Sequence, residues 1–475
     1  MLGYLHAGAF MHTPLIWDES LINRFDLSGP RYTSYPTAPQ FTETFGLDEW
    51  CAAAQRSNHS QLPLSLYCHI PFCETVCYYC GCNKIITANK KRALPYLAAL
   101  KTEIALQAQY LDPSRPVVQF HFGGGTPTYL SDEQLGELMA CFRQHFNFVA
   151  AEALEASIEI HPQTVTPERL AQLKNLGLNR ISLGIQDFNP EVQSAVNRFN
   201  SIEEVAHLCA AARRLEFKSI SMDLIYGLPK QTPASFSQTL DNIIALKPDR
   251  LSLFSYAHMP HLFKVQQQII ASDLPSSRDK LSMLHLSIDK LQAAGYRYIG
   301  MDHFALPEDE LAQAQDAGQL HRNFQGYSTR GGCDLLAFGV SAINQMHDTY
   351  GQNFKDINAY QDALAKGQLP IHKGLRLTPD DIIRKAVINQ LICHFQLDFS
   401  SIEQRFGLVF NDYFAAALAE LAPLAEAHLC VLSDTGIQVT EPGRLLIRRV
   451  CMAFDAYLNH NNTNAEQAKR YSKII

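Results

Sequence analysis

Three cysteines, Cys73, Cys77 and Cys80, stand in the run His69-Ile-Pro-Phe-Cys-Glu-Thr-Val-Cys-Tyr-Tyr-Cys-Gly-Cys82 with the spacing C-x3-C-x2-C. They are too close together for a disulfide framework and one ligand short of a closed four-coordinate site. A cubane [4Fe-4S] cluster bound by three thiolates keeps one iron with an open position. The amino and carboxylate groups of S-adenosylmethionine can fill that position, and one electron from a low-potential cluster then breaks a C–S bond to release a 5′-deoxyadenosyl radical. The protein has to ligate, orient and shield, while the cofactor does the hard chemistry.

Zinc, disulfides and inert core thiols are the competing readings. Structural zinc favours paired knuckles, and no second knuckle follows Cys82. Disulfides need an oxidising compartment. Five of the twelve cysteines fall between Cys68 and Cys82, which scattered core residues would not do; the other seven read as core. Cys82 as a fourth ligand would block the open iron, so it reads either as packing or as a group beside the cluster.

The elements that must position these thiols alternate. Leu64–Ile70 reads as a strand feeding the cysteine loop, and Lys91–Leu111 as a helix. Strands are expected at Val117–Phe122, Ala156–Ile160, Arg180–Ile185, Ser219–Ile225 and Leu251–Tyr256. Helix starts are marked by Ser131 with Gln134, Thr166-Pro167, Ser201 with Glu204, and Thr232-Pro233. Six strands with intervening helices make an α/β fold whose ligands gather at the carboxyl ends of the strands. The cysteine loop, Gly123-Gly-Gly125, Glu159, Gln186, Asp223 and Ala257 follow the six strands in turn. That placement points to a partial six-unit (β/α) barrel. The glycines read as a place where backbone can approach a small ligand. Beyond about residue 355 the rhythm gives way to helices at Thr378–Cys393, Phe399–Phe406 and Asn411–His428, a hairpin around Ser433–Thr440 and a last helix from Gly443.

This helical region has a winged-helix outline, but Asp380, Asp381, Glu420 and Glu426 outweigh Arg384 and Lys385, and Arg444, Arg448 and Arg449 form its one cationic group. With a net charge of −7 over 475 residues, a nucleic-acid surface is not expected. A hydrophobic fraction of 47% with 18% charged residues fits an ordered enzyme, and no apolar run is long enough for membrane insertion. The first ten residues lack a basic region and read as no signal peptide, Met11 is an alternative start, and the cytoplasm is the expected location.

The cysteine run resembles the signature of radical S-adenosylmethionine enzymes. Ser28-Gly-Pro-Arg-Tyr-Thr-Ser-Tyr-Pro-Thr37, Tyr67–Lys84, Gly-Gly-Gly-Thr-Pro-Thr-Tyr129, Gly184-Ile-Gln-Asp-Phe-Asn189, Asp223-Leu-Ile-Tyr-Gly-Leu-Pro229, Gly300-Met-Asp-His-Phe304 and His321-Arg-Asn-Phe-Gln-Gly-Tyr327 together resemble the oxygen-independent coproporphyrinogen III oxidases over nearly the whole chain. The resemblance implies a radical-SAM type barrel (61–355) between an N-terminal extension (1–60) and a mainly helical C-terminal domain (356–475). It implies oxidative decarboxylation of two propionates of coproporphyrinogen III to the vinyls of protoporphyrinogen IX. Two S-adenosylmethionine molecules per turnover, an electron donor such as flavodoxin or ferredoxin, an unknown electron acceptor and a monomeric chain are implied with it.

By the same resemblance Cys73, Cys77 and Cys80 ligate the cluster, and Tyr67, Gly124, Glu159 and Ile343 contact the cluster-bound S-adenosylmethionine. Tyr79, Gly125, Thr126, Gln186, Arg198, Asp223 and Ala257 match a second S-adenosylmethionine pocket, whose groups could instead bind substrate. Two positions depart from the pattern. His161 stands where an aspartate is expected, reversing possible charge, and Tyr79 where phenylalanine is also common. Arg31 is expected to fold with its segment over the barrel mouth and to contact substrate or its lid, against the plainer reading of a surface salt bridge. The alternatives are a radical-SAM haem chaperone without turnover and a nucleic-acid modifying radical enzyme.

Overall fold

The computed structural model describes residues 13–458, 471 and 473–475, so the first ten residues and Met11 lie outside the described residues. The chain packs as two compact units, Phe41–Met283 with Gly332–Arg376, and Met1–Gln40 with Leu284–Gly331 and Leu377–Ile475.

The first of these units carries the alternating strands and helices. Its parallel strands are β1 (Leu64–Ile70), β2 (Pro116–Gly124), β3 (Glu155–Ile160), β4 (Arg180–Gln186), β5 (Ser219–Tyr226), β6 (Arg250–Ser255) and β7 (Asp334–Phe338). They run side by side as β6-β5-β4-β3-β2-β1-β7, every neighbour parallel. Six are the strands expected from the sequence. The seventh, β7, pairs with β1 across some 270 residues of chain, Leu64 opposite Asp334 and Cys68 opposite Phe338. Three antiparallel strands extend the sheet from it: β8 (Ile343–Met346), β9 (Thr349–Asn353) and β10 (Ile371–Arg376). The strand rhythm thus changes direction after β7, and β10 adds a strand beyond residue 355, ahead of the helices and hairpin the sequence suggests there.

Helices α1 (Ala93–Ala108), α2 (Asp132–His145), α3 (Pro167–Asn175), α4 (Ile202–Arg214) and α5 (Pro233–Leu246) follow the strands. Ser131 and Gln134 cap α2 reciprocally, Ser201 and Glu204 cap α4, and Thr166 and Thr232 cap α3 and α5, each of these with proline at the first helical position. Behind the sheet, Phe142 of α2 meets Phe120 of β2 and Phe338 of β7 edge-on at 5.1 and 5.0 Å.

Where β1 and β7 end, a carboxylate is buried. Glu103 of α1 is fully enclosed and accepts from the Tyr360 hydroxyl (2.6 Å), Asn353 Nδ2 (2.7 Å), the Gly339 amide (2.7 Å) and Gln107 Nε2 (3.0 Å). Tyr360 belongs to α6 (Ile357–Ala365). Gly339 has φ +102°, and a Cβ there would meet the Tyr96 hydroxyl. That hydroxyl donates to the His69 carbonyl on β1 (2.6 Å). At the opposite end of the same strands, buried Arg115 holds Asp334 (2.6 Å), Ser57 (2.6 Å) and the Leu62 carbonyl (2.8 Å).

In the other unit the helices expected from the sequence include Pro379–His394, Phe399–Phe406 and Ala415–Glu426, and the last one, expected from Gly443, forms as two short helices, Glu441–Leu445 and Ile447–Met452. The single helix expected over Asn411–His428 is broken at Phe414, whose ring packs on Phe410 (4.7 Å) and Phe454 (5.3 Å). Gly436–Val439 lies between Cys430–Leu432 and Gln396–Asp398 in a three-stranded antiparallel sheet. The cationic group of the last helices is taken up internally. Arg448 donates to the Pro30 carbonyl (2.8 Å) and the Lys473 carbonyl (2.8 Å), Arg444 to the Thr13 carbonyl (3.1 Å), and Arg449 pairs with Glu420 (3.3 Å). Among the described residues no helix is long and apolar enough to cross a membrane.

Burial pushes the Glu103 carboxyl up while its four donors favour the charged form. Replacing it by alanine strands those donors, so Glu103→Ala should cost about 3 kcal/mol of stability, and Glu103→Gln less. Denaturant midpoints of the two variants check this, and a midpoint for Glu103→Ala equal to that of the parent would refute it.

Candidate radical site

The cysteine loop has little secondary structure of its own and is held by its surroundings. Phe72–Cys73 pairs in parallel with Ile85–Ile86, and Ile85 and Thr87 donate to the Pro71 and Cys73 carbonyls (2.7 and 2.9 Å). The Tyr78 amide donates to Val196 O (2.9 Å), and Asn197 Nδ2 to Val76 O (2.7 Å). Gly125 and Thr126 amides donate to Ile70 O (2.8 Å) and Phe72 O (3.0 Å). Buried His69 reaches Asn83 O with Nε2 (3.2 Å) and the Tyr67 hydroxyl with Nδ1 (3.1 Å).

The glycine run is not all loop. Gly123 and Gly124 are still paired with His69 and Ile70 of β1. The space their side chains would take is already filled: a Cβ on Gly123 would lie 2.9 Å from Glu159 Oε1 and from the Tyr67 ring, on Gly124 2.7 Å from the His69 ring, and on Gly125 3.0 Å from Cys73 Sγ. Gly124 also needs its φ of +118°. The run therefore brings the second strand hard against the cysteine loop.

Each of the three thiols receives a donor. Thr126 Oγ1 lies 3.4 Å from Cys73 Sγ, Arg198 Nη1 3.9 Å from Cys77 Sγ, and the Cys82 amide 3.4 Å from Cys80 Sγ. Hydrogen bonding from Cys82, helped by the charge of Lys84, brings the Cys80 thiol down to about 6, while burial pushes Cys73 up to about 11. Cys82 is thus a donor to Cys80, and its own thiol is held protonated well above the usual range by that same bond.

The thiols rim a cavity of about 480 Å³. Among the described residues no three His, Cys, Asp or Glu side chains are grouped to hold a single ion. Around the same cavity stand Tyr79, Gly124, Gly125, Thr126, Glu159, Gln186, Arg198 and Asp223. Tyr67, Ala257 and Ile343 do not line it. Tyr67 lies stacked on His121 (5.7 Å). The Ala257 carbonyl is joined to that of Tyr79 through the amide of buried Gln266 (3.4 and 2.9 Å), and Ile343 is on β8 opposite Gln352.

Glu159 is positioned from two sides. Its Oε2 accepts from the Gly124 amide (2.9 Å), and its Oε1 lies 3.3 Å from His121 Nε2, whose Nδ1 is 2.6 Å from Ser157 Oγ. Desolvation alone would raise this carboxyl, but His121 and the Gly124 amide hold it below the usual range. His121 escapes a reading that looks only at strand ends. Its signal is the cross-strand register, His121 opposite Ser157 with Glu159 two residues on.

Gln186 reaches the cavity from a register shift between β4 and β5 and has φ +72°; a bulge re-aims a side chain in this way. Asp223, accepting from Ser182 Oγ (3.2 Å), is pushed up to about 6 by burial, with the negative charge of Glu159 adding to it. Arg198 Nη2 donates to the Gly184 carbonyl, and its Nε is buried without a partner. His161 also lines the cavity with Nδ1 buried and unpartnered, and burial together with Arg198 holds it down at about 3. The imidazole is neutral, so the charge reversal expected at this position does not occur.

Residues 67–243 match the model of the radical SAM superfamily, and residues 377–446 that of the HemN C-terminal domain. The oxygen-independent coproporphyrinogen III oxidase of Pseudomonas aeruginosa is 53% identical over 459 residues, 97% of this chain and 99% of the relative. The chain belongs to the oxygen-independent coproporphyrinogen III oxidase family. The Escherichia coli relative of that name is 49% identical over 97% of this chain and 98% of its own. A solved Escherichia coli coproporphyrinogen III oxidase, described as a radical SAM enzyme, matches with a TM-score of 0.89, covering 94% of this chain and 100% of that one. The family implies a [4Fe-4S] cluster and S-adenosylmethionine. Three thiols, each given a donor and set around a cavity against side-chain-free backbone, fit a cluster held by three thiolates.

Because His121 depresses the Glu159 carboxyl, its removal should let that carboxyl protonate at higher pH. His121→Phe keeps a ring on Tyr67, and the acid limb of S-adenosylmethionine binding should then move to higher pH. Equilibrium binding across pH on anaerobically reconstituted protein reads this directly, and an unmoved limb would show that His121 does not tune Glu159.

Proposed function

We propose that this chain performs the reaction its relatives are named for, the oxygen-independent oxidation of coproporphyrinogen III in porphyrin biosynthesis. Each of two propionates loses a hydrogen atom, carbon dioxide and one electron, leaving the two vinyls of protoporphyrinogen IX. When bound, the cluster and S-adenosylmethionine supply a primary carbon radical able to take hydrogen from an unactivated C–H bond, which no side-chain acid or base can do. The observation that carries this reading is the cavity rimmed jointly by Cys73, Cys77, Cys80 and Glu159.

In this reading Cys73, Cys77 and Cys80 would hold the cluster, which would supply S-adenosylmethionine with an open iron position. Glu159, kept ionised, takes the ammonium end of S-adenosylmethionine, with Gly124 beside it and Tyr67 acting through the His121 ring on which it stacks. Tyr79, Gly125, Thr126, Gln186, Arg198, Asp223 and Ala257 form a second S-adenosylmethionine position, giving two molecules per turnover. The stack of Tyr78, Tyr79 and Phe254 on Val192, Val196 and Ile225 supports that side with apolar surface, and the buried orphan Nε of Arg198 supports a missing acceptor. The protein works in the cytoplasm as a monomer, with a flavodoxin or ferredoxin as donor.

A tetra-anionic substrate needs cations, since buried carboxylates without partners are costly. Arg31 pairs with Asp302, and its carbonyl accepts from Arg322 Nε (3.4 Å). Burial, followed by the charge of Arg31, lowers the Arg448 guanidinium to about 10, with Arg322 contributing to the same crowding of positive charge. Arg31 and Arg322 are therefore the groups we assign to propionates, the partner anion relieving their mutual repulsion.

Anaerobic incubation with coproporphyrinogen III, S-adenosylmethionine and a reductant should yield protoporphyrinogen IX; haem binding without vinyl formation would mark a chaperone instead. Cysteine-to-alanine variants at 73, 77 or 80 should lose S-adenosylmethionine cleavage, against about four irons per chain in the reconstituted parent. Zinc in stoichiometric amount with no iron–sulfur absorbance would overturn the cysteine assignment. Arg31→Ala should lower vinyl formation at subsaturating substrate and leave iron content and uncoupled cleavage unchanged. Unaltered turnover there would remove Arg31 from substrate recognition.

A further inference from the structure

Radical chemistry at this site needs single electrons from outside the chain, and the surface beside Cys73 is built from few residues. Ile86 sits in register beside Cys73 on the short parallel pair, with the Thr87 amide donating to the Cys73 carbonyl (2.9 Å). It is an apolar side chain 37% exposed, one backbone hydrogen bond from a cluster-ligand cysteine. The chain then emerges into the exposed run Lys90-Lys91-Arg92, followed by Leu94, 53% exposed, on the first turn of α1.

The charges of this run are unequally committed. Lys90 is engaged by Glu74, the Tyr129 carbonyl (2.8 Å) and the Tyr129 ring (3.8 Å). Lys91 and Arg92 are exposed, with no side-chain hydrogen bond or ion pair among the described residues, Arg92 acting only through its charge on nearby Tyr129. A third cation is brought to the same loop by another element. Asn83 Nδ2 donates to the carbonyl of exposed Lys355 (3.0 Å), and Lys355 in turn faces Lys373, whose ammonium is lowered by burial and then by that neighbour. Tyr96 and Tyr360, each about one turn from the start of α1 and α6, pack at 5.5 Å. That contact keeps Arg92 and Lys355, which precede those two helices, at one end of the barrel. The nearby acids are engaged, Glu74 by Lys90, Asp356 by the α6 amide it caps, and Glu43, which also acts on Lys373, by His372 (3.3 Å). A chain of net charge −7 thus shows a local cationic collar around an apolar point beside Cys73.

We propose that Ile86 and Leu94, with Lys91, Arg92 and Lys355 around them, form the docking surface for an acidic flavoprotein, a reduced flavodoxin, that delivers single electrons to this site. The reading rests on the assignment of Cys73 as a cluster ligand. Opposite charge steers the encounter, and the exposed apolar side chains of Ile86 and Leu94 suit the apolar edge of a protein-bound flavin. The donor's flavin hydroquinone gives up one electron and one proton, becoming the neutral semiquinone. A cluster held by Cys73, Cys77 and Cys80 would accept the electron and solvent the proton, with no bond to carbon made or broken.

The test compares wild-type holoenzyme with Lys91→Glu/Arg92→Glu and Lys355→Glu. Three quantities are read: iron content, S-adenosylmethionine cleavage driven by dithionite or by reduced flavodoxin, and affinity for oxidised flavodoxin at low and high salt. Iron content and dithionite-driven cleavage should stay at wild-type values, because none of the three residues touches the cavity. With flavodoxin, kcat/KM should fall about tenfold or more, and the salt-sensitive binding seen in wild type should disappear. Wild-type rates and affinity for flavodoxin in these variants would overturn the proposal. So would collar-dependence with reduced ferredoxin but not with flavodoxin. An equal loss with dithionite would also reject it, as a structural effect. If wild type itself fails to load iron, the proposal falls with the cysteine assignment, and the iron measurement separates that outcome from the others.

Discussion

The organisation of the barrel unit depends on a negative charge placed where it has no cation. Glu103 is enclosed at the carboxyl ends of β1 and β7 and is kept by four neutral donors from α1, α6, β9 and the turn after β7. An arrangement of this kind is intolerant of displacement, since any donor that moves leaves a polar group stranded in a dry interior. It fixes the turn at Gly339, and through Tyr96 and the His69 carbonyl it fixes the end of β1, from which the cysteine loop departs. The antiparallel extension is tied to the catalytic end of the barrel by the same carboxylate.

From that anchored end the site is assembled by removing side chains rather than adding them. Gly123, Gly124 and Gly125 let β2 press against Tyr67, His69, Glu159 and Cys73 at distances that a methyl group would forbid. Donors then reach all three sulfurs from three directions: Thr126 from beyond the glycines, Arg198 from beyond β4, and Cys82 from the loop itself. The charge pattern across the cavity is graded. Glu159 is held ionised at one side and Asp223 near half-protonation at neutral-to-acid pH at the other, with the Arg198 guanidinium and a neutral His161 nearby. Two carboxylates of different proton affinity thus face one cavity, set apart by burial and by the charge of one acting on the other.

Much of this was legible in the chain. The six alternating strands, the reciprocal caps at Ser131 and Ser201 and the threonine caps before Pro167 and Pro233 all carry local signals, because caps and periodicity act within a few residues. The cysteine loop and the strand-end positions of Glu159, Gln186 and Asp223 follow from the same reading. What stayed hidden acts at long range. Asp334-Leu-Leu-Ala-Phe338 is a short buried run that periodicity cannot separate from a helix segment, and its partner β1 is far away in sequence. Glu103 reads as an ordinary helix acid until α6 and β9 are folded around it. Arg444 and Arg448 look like a cationic face until backbone carbonyls are found to use them.

The cysteine loop takes its shape from hydrogen bonds to Val196, Asn197, Ile70, Phe72 and Asn83, all of them within the polypeptide. The backbone on either side of its three sulfurs is therefore fixed by the fold, whereas in small metal-dependent domains ligation and folding are one event. For an oxygen-labile centre this separates maintenance from refolding. With Cys73, Cys77 and Cys80 as the proposed ligands, a chain stripped of its iron would keep this loop in place to receive a replacement cluster.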